Sequence, residues 1–166
     1  MTMKFVIDGK PQAKQSFKVG TVTTKDGRTF ATQYTPKEMK YYANLVKMMF
    51  RNTYPKHLPS VFYDVALAVT ITVHVAIPKS YSNKKKGLAL KGSLVPQTKP
   101  DCDNIAKNIC DALNEVAWPD DKQIARLLVK KVFDENPFVE VEIDAINSQS
   151  VKNNQAEQMS LLSGGQ

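Results

Sequence analysis

The sequence predicts an α+β fold in a single domain: a mixed sheet of about four strands, two main helices and long basic loops. Strict alternation of apolar and polar residues from Val65 to Ile77 indicates a long strand. Helical periodicity over residues 35–52 and again over 103–116 indicates two amphipathic helices. The 166 residues suffice for one core.

The first and longest strands are defined by their apolar patterns. Residues 3–8 predict a short strand that ends at Asp8-Gly9. In Val65–Ile77 every odd position is apolar, and His74 occupies an even position on the less apolar face. We therefore interpret His74 as a strand-surface residue and not as a catalytic one.

Each predicted helix has a start signal or an apolar stripe. Thr35-Pro36-Lys37-Glu38 combines an N-cap, a proline at the first helical position and a capping-box glutamate. In the second helix, Asp103, Lys107 and Asp111 follow one another along a polar stripe. The apolar faces predict core positions at Met39, Tyr42, Val46, Met49 and Phe50, and at Ile105, Ile109, Ala112, Leu113 and Val116.

Two strands complete the predicted domain, over residues 124–133 and 138–146, joined by the turn at Asp134–Pro137. The domain is thus placed at residues 1–146. From Asn147 to Gln166 the chain is rich in Ser, Asn, Gln and Gly, which predicts a mobile polar tail.

Two connections are basic. Residues 11–34 contain Lys14, Lys18, Lys25 and Arg28 and lack helical periodicity, so a long loop or loose hairpin is expected. Residues 78–100 form a second basic connection that contains Lys84, Lys85 and Lys86. Connections this long in a compact domain are usually functional or disordered.

The charge is divided along the chain. Residues 1–60 carry an excess of eight positive charges and residues 61–100 an excess of five, whereas residues 101–166 carry an excess of six negative charges. The net charge of +7 and the pI near 9.3 suit a polyanionic partner. The acidic third suits a cation bound beside it, although a basic solvated surface is an alternative.

Other classes of protein fit the composition poorly. No apolar run approaches the ~20 residues of a membrane helix, and no secretory signal is visible, so a cytoplasmic location is expected. The two cysteines, Cys102 and Cys110, lie ~12 Å apart along a helix axis, too far for a disulfide. Their spacing matches no zinc pattern.

The segment that carries chemistry begins at Lys99-Pro100-Asp101-Cys102-Asp103 and continues to Asp120-Asp121. Within a helix, Asp101 and Asp103 would point apart, but at a strand-to-helix junction both can converge. Pro100 disfavours helix before it and supports a junction there. Clustered carboxylates suit Mg²⁺ or Mn²⁺. Such a metal activates water and neutralises a scissile phosphate.

A structural interpretation of the same residues remains open. Asp103 could serve only as a helix N-cap, Asp120-Asp121 only as a turn, and Lys107 only as an ion-pair partner of Asp103 or Asp111. Capping explains one aspartate and leaves the others unexplained. Alternatively, Lys107 stabilises charge that develops on the phosphate or positions the nucleophile.

This segment resembles the RusA-type Holliday junction resolvases, metal-dependent endonucleases largely of bacterial and phage origin. The matching residues are Lys99–Asn104 with Lys107, Asp111–Asn114 and Trp118–Ile124, and the likeness extends over about residues 1–146. The combined pattern Asp-x-Asp-Asn, Asp-Ala-Leu and Trp-x-Asp-Asp is far more specific than an Asp-x-Asp alone.

The resemblance implies a homodimer that binds four-way DNA junctions and makes paired symmetric nicks in recombination and repair, with Mg²⁺, or Mn²⁺ in its place. It implies catalytic and metal-binding roles for Asp101, Asp103 and Asp121, a required Lys107, and Asp120 as a further candidate ligand. No small-molecule substrate or membrane is expected. The predicted DNA-binding residues are Lys14, Lys18, Lys25, Arg28, Lys84, Lys85, Lys86 and Lys99.

Two alternatives are retained. One is a nuclease of the Pro-Asp…(Asp/Glu)-x-Lys type, but the only convincing Glu-x-Lys, Glu38-Met39-Lys40, precedes Pro100-Asp101. The other is a non-catalytic nucleic-acid-binding module whose acidic cluster is structural. Substitution of the aspartates would separate catalysis from binding.

Overall fold

The structure is a computed structural model that describes residues 1–12, 18–34 and 37–146. The predicted cap at Thr35-Pro36, the predicted tail at 147–166 and Lys14 lie outside these residues. The helices and strands are β1 (Thr2–Asp8), β2 (Lys18–Thr23), β3 (Thr29–Tyr34), α1 (Lys37–Thr53), β4 (Leu67–Ala76), α2 (Asn83–Leu90), α3 (Cys102–Leu113), β5 (Ile124–Asp134) and β6 (Phe138–Ala145). Short 3₁₀ helices cover Pro59–Phe62 and Asp121–Gln123.

Four strands form one mixed sheet in the order β1-β6-β4-β5. β6 is antiparallel to both β1 and β4, whereas β4 and β5 are parallel. Because parallel neighbours need a crossover, the chain between β4 and β5 carries α2 and α3. The prediction of a mixed four-stranded sheet is confirmed, and the crossover determines where both candidate carboxylate segments lie.

The core lies between one face of the sheet and the helices α1 and α3. The odd positions of β4 that the alternation placed inward are buried from Leu67 to Val73. Val46 and Phe50 of α1 are buried, as the helical stripe predicted, and the Phe50 ring packs edge-on against the Phe5 ring of β1 with centroids 5.4 Å apart. Other buried members of this core are Phe5, Ile7, Ile105, Ile109, Leu113, Trp118, Val139, Val141 and Ile143. Full burial of one such large apolar side chain contributes about 1.5–3 kcal/mol.

The prediction that residues 78–100 are only a connection was wrong in part, because α2 lies within them. Ser82 caps α2 by accepting a hydrogen bond from the backbone N–H of Lys85 at 3.4 Å, and Ala89 is buried. One buried residue gives too little periodicity for a sequence pattern to reveal. The fold therefore has a third helix, and no described helix has the length and apolar character to span a membrane.

Residues 18–34 form a two-stranded antiparallel sheet, β2 and β3, which confirms the hairpin alternative for the first basic connection. The turn depends on Gly27, whose φ of +80° favours glycine. Backbone bonds from Thr24 N–H to the Arg28 carbonyl (2.8 Å) and from Gly27 N–H to the Thr24 carbonyl (2.9 Å) close it. Every residue from Thr21 to Ala31 is exposed.

Candidate active site

The start of α3 carries the first two candidate carboxylates. Asp101 is the N-cap in extended conformation (φ −75°, ψ 145°), and its carbonyl accepts the N–H of Ile105 at 3.1 Å. Asp103 lies in the first helical turn, and both side chains are exposed. The helix start predicted just after Pro100 is therefore confirmed, but turns and bends precede it instead of a strand, and the N-cap is Asp101 and not Asp103. The positive end of the helix dipole favours negative charge at this point.

Lys107 lies one turn beyond Asp103 and is exposed. Within the described chain it forms no salt bridge with Asp103, so that part of the ion-pair interpretation finds no support. An exposed ammonium on the same stripe as the aspartates is placed to meet a phosphate that approaches α3.

Asp120 and Asp121, adjacent in sequence, have different environments. The Asp120 carboxylate accepts the backbone N–H of Lys122 at 3.0 Å and pairs with the Lys122 ammonium at 3.0 Å. These bonds, the backbone one first, lower the pKa of Asp120. Asp120 thus caps the 3₁₀ helix at Asp121–Gln123, which is the structural role that the turn interpretation foresaw.

Asp121 is half-buried, and the indole N–H of Trp118 donates a 2.7 Å hydrogen bond to its Oδ1 atom. Burial raises the pKa of the Asp121 carboxyl. The negative charges of Asp111 and Asp120 act in the same direction, and the Trp118 bond opposes them. Burial, together with the negative charges of Asp121 and Asp111, raises the pKa of the Cys110 thiol to about 12. Asp121 therefore faces the Asp111 end of α3.

Two residues that hold the loop at Asp120-Asp121, Gln123 and Trp118, had no predicted structural role. Gln123 donates from Nε2 to the carbonyls of Phe62 (2.6 Å) and Val65 (3.0 Å), while its Oε1 atom accepts the N–H of Asp120 at 3.2 Å. Trp118 is fully buried, and the sequence predicted no role for it beyond its place in the Trp-x-Asp-Asp pattern. The signal that could have found it is chemical, because a buried indole N–H needs an acceptor nearby.

Lys131 on β5 holds the other candidate segment, and its role was not predicted from the sequence either. Its ammonium donates to the carbonyls of Thr98 (2.8 Å) and Pro100 (3.3 Å), directly before Asp101. Lys131 is paired with Val73 in the sheet register, so its side chain lies on the face that the helices cover. Lys131 thereby ties the segment that leads into α3 to the sheet.

The candidate carboxylates form two groups along α3. Asp101 and Asp103 lie at its start, and Asp121 lies near Asp111, which follows Asp103 by eight residues, ~12 Å along a helix axis. No hydrogen bond between described residues joins the groups, and no three His, Cys, Asp or Glu side chains of the described chain form a ready metal-binding cluster. The free Cys102 and Cys110, as expected, form no disulfide.

The cations predicted to bind DNA lie on three segments. Lys25 and Arg28 are exposed at the hairpin turn, and Arg28 lies 3.5 Å from Asp26. On α2, Lys84 is exposed and Lys86 is half-buried, while the Lys85 ammonium lies 3.9 Å from the ring centroid of Tyr81. Lys99 is exposed before α3. Lys18 begins β2, but its side chain and the whole of Lys14 lie outside the part of the chain that the structure describes.

Carboxylates along one helix, an exposed lysine between them and basic segments around them are typical of enzymes that cut nucleic-acid phosphodiesters. The family model described as endodeoxyribonuclease RusA matches residues 8–144, and the chain belongs to this family. Membership implies the endonuclease activity of a Holliday junction resolvase.

A curated relative matches most of the chain. The chain is 34% identical over 152 residues to the protein YqaN of Bacillus subtilis (strain 168), which is described as uncharacterized. The match covers 88% of this chain and 98% of YqaN.

Proposed function

We propose that this protein is a metal-dependent endodeoxyribonuclease that resolves four-way DNA junctions by paired symmetric nicks as a homodimer. The observation that carries the proposal is the placement of carboxylates at both ends of α3, with Lys107 exposed between them, in a chain of the RusA family. The proposed substrate is DNA in the cytoplasm.

The donor chemistry of these residues fits Mg²⁺, and Mn²⁺ is expected to substitute. Asp101, Asp103 and Asp121 would hold the metal, with Asp120 and Asp111 as further candidates. Because the described chain separates Asp101 and Asp103 from Asp121, one ion held by all three requires these two groups to converge when it binds. Burial and the neighbouring carboxylates Asp111 and Asp120 raise the pKa of Asp121, and a divalent cation would offset this negative charge. When bound, the metal supplies water activation and neutralises charge at the phosphate.

The protein's own residues bind and orient the reacting groups. Lys107 contributes a positive charge to the scissile phosphate as negative charge develops there. Trp118 holds one oxygen of Asp121 and leaves the second oxygen for a ligand. Lys131 fixes the segment before Asp101.

Junction selectivity is proposed to come from symmetry. A four-way junction has approximate two-fold symmetry, and a C₂ dimer presents two equivalent sites to two equivalent strands. Lys25, Arg28, Lys84 and Lys99 contact phosphates, which position the DNA without reading its sequence.

The test uses a labelled synthetic four-way junction and a linear duplex of the same sequence, each with Mg²⁺ or EDTA. The wild type should cut the junction alone, in pairs of nicks, and only with metal. Asp121→Asn should reduce the rate about a hundredfold or more, because loss of a metal ligand weakens the hold on the cation that would neutralise charge at the phosphate. It should retain binding.

Glu135→Gln is the matched control, because Glu135 is an exposed carboxylate in the β5–β6 turn. Asp111→Asn, assayed in parallel, reports whether Asp111 shares the site. Tight junction binding without cleavage in either Mg²⁺ or Mn²⁺ would contradict the nuclease proposal and favour a binding module with a structural acidic cluster.

A further inference from the structure

The β2–β3 hairpin carries a large apolar pair on one exposed face. Val22 and Phe30 are directly opposite in the register, so their side chains lie side by side on that face. Their residue exposures are 52% and 54%. The opposite face begins with Val19, which is 68% exposed. An aromatic ring this exposed contributes little to folding, and here it is paired across the hairpin with a second exposed apolar side chain, so the two form a small patch that a ligand can contact.

The same hairpin has a basic turn. Lys25 and Arg28 are exposed next to the apolar pair, and Asp26 is the only acidic residue in the described hairpin. Asp26 is already engaged, because the Thr24 hydroxyl donates to it and Arg28 lies 3.5 Å away. A face that combines an exposed ring with neighbouring cations matches a nucleic acid, whose phosphates bind the cations while a base stacks on the ring.

A second copy of this chain fits the face less well. Two large apolar side chains supply about 300–400 Å² at most, whereas a specific protein–protein interface buries about 1,600 Å² in total. A single stacked base needs no more than one ring face. The size of the patch therefore favours a base over a protein surface.

We propose that the hairpin recognises the branch point of a DNA junction, with Phe30 stacked on a base left unstacked there and Lys25 and Arg28 on the flanking phosphates. This inference rests on the proposed function for its substrate. In a linear duplex every base is stacked within the helix, so Phe30 has nothing to bind. The hairpin thus distinguishes branched DNA from duplex DNA before any strand is cut.

The experiment measures binding in EDTA, so it does not depend on cleavage. Full-length protein is titrated into a four-way junction carrying 2-aminopurine at the branch point, and into a duplex of the same sequence. Phe30→Ala should weaken junction binding about tenfold, the scale of one lost base stack, and leave duplex binding within about twofold. Phe30→Trp should restore junction binding and the change in 2-aminopurine fluorescence that accompanies it.

Val19→Ala is the matched control on the opposite face and should bind as the wild type does. Equal junction affinities for Phe30→Ala and Val19→Ala would overturn the inference, as would equal losses on junction and duplex. A change from dimer to monomer in Phe30→Ala, measured by sedimentation, would also overturn it by assigning the face to a second copy. Failure of the wild type to cut junctions with Mg²⁺ would contradict only the proposed function.

Discussion

At the scale of single residues, Asp121 has an environment that opposes its charge. Burial, together with Asp111 and Asp120, raises the pKa of this carboxyl above 3.8. An aspartate with a raised pKa holds its proton more tightly in the folded state than in the unfolded state. The free energy of unfolding therefore falls as pH rises from about 3.8 to the raised pKa. Above the raised pKa, the whole of this decrease in the free energy of unfolding is present.

We expect Asp121→Asn to raise the Tm in EDTA at pH 7–8 by about 1–3 °C. The amide removes the unfavourable charge, and its oxygen still accepts the Trp118 N–H. The gain should shrink towards pH 3, where the wild-type carboxyl is protonated in both states. Asp134→Asn is the control of opposite sign, since a hydrogen bond from His74 lowers the pKa of Asp134. A lower Tm for Asp121→Asn at pH 8 would contradict the expectation.

Single residues also show which contacts could be predicted from the sequence and which could not. The pair Asp101 and Asp103 could be placed at a helix junction because Pro100 and the periodicity of α3 lie in one continuous segment. The contacts of Lys131 with Thr98 and of Gln123 with Phe62 join residues 33 and 61 positions apart. Periodicity and local capping carry no information on contacts across such separations.

At the scale of elements, a helix or strand could be predicted from the sequence where it buries one face. Three of the four sheet strands, β1, β4 and β6, and the helices α1 and α3 each have a buried stripe, and each was found within three residues of its predicted ends. β5 has no fully buried residue, but it too was found close to its predicted ends. The β2–β3 hairpin is exposed on both faces, and α2 buries only Ala89. The parallel pairing of β4 and β5 depends on the crossover, which neither strand's own sequence encodes.

The link between β5 and α3 gives a prediction at this scale. Lys131→Met keeps the aliphatic stem but removes both hydrogen bonds to the segment before Asp101. We expect a loss of about 1 kcal/mol in the free energy of unfolding. The proposed cleavage should slow about tenfold, and its midpoint in Mg²⁺ should rise, because outer contacts orient metal ligands.

Lys130→Met is the matched control, since Lys130 is the exposed neighbour on the opposite face of β5. Its Mg²⁺ midpoint and cleavage rate should equal those of the wild type. If both variants cut alike while only Lys131→Met is less stable, Lys131 has a structural role without an influence on the site.

At the scale of the whole molecule, positive charge is concentrated in residues 1–100 and negative charge in the rest. The two meet at α3, where Lys99 precedes the first carboxylates. A polyanion held by the basic segments is therefore brought next to the acidic helix, whose own charge would repel it. A divalent cation between phosphate and carboxylates resolves this conflict, so the charge distribution itself favours a metal in the proposed reaction.

Phosphate contacts of this kind predict a steep dependence on salt. Junction affinity should fall linearly on logarithmic axes, with a slope of about −0.9 for each phosphate neutralised. Lys84→Gln and Lys99→Gln together should reduce the slope by about two, because both lysines are exposed and form no salt bridge within the described chain. Lys4→Gln is the control, since Glu142 already matches the charge of Lys4 at 2.7 Å. An unchanged slope in the double variant would show that the DNA does not cross α2 and the start of α3, and so would separate the basic surface from the carboxylates that the proposed cleavage requires.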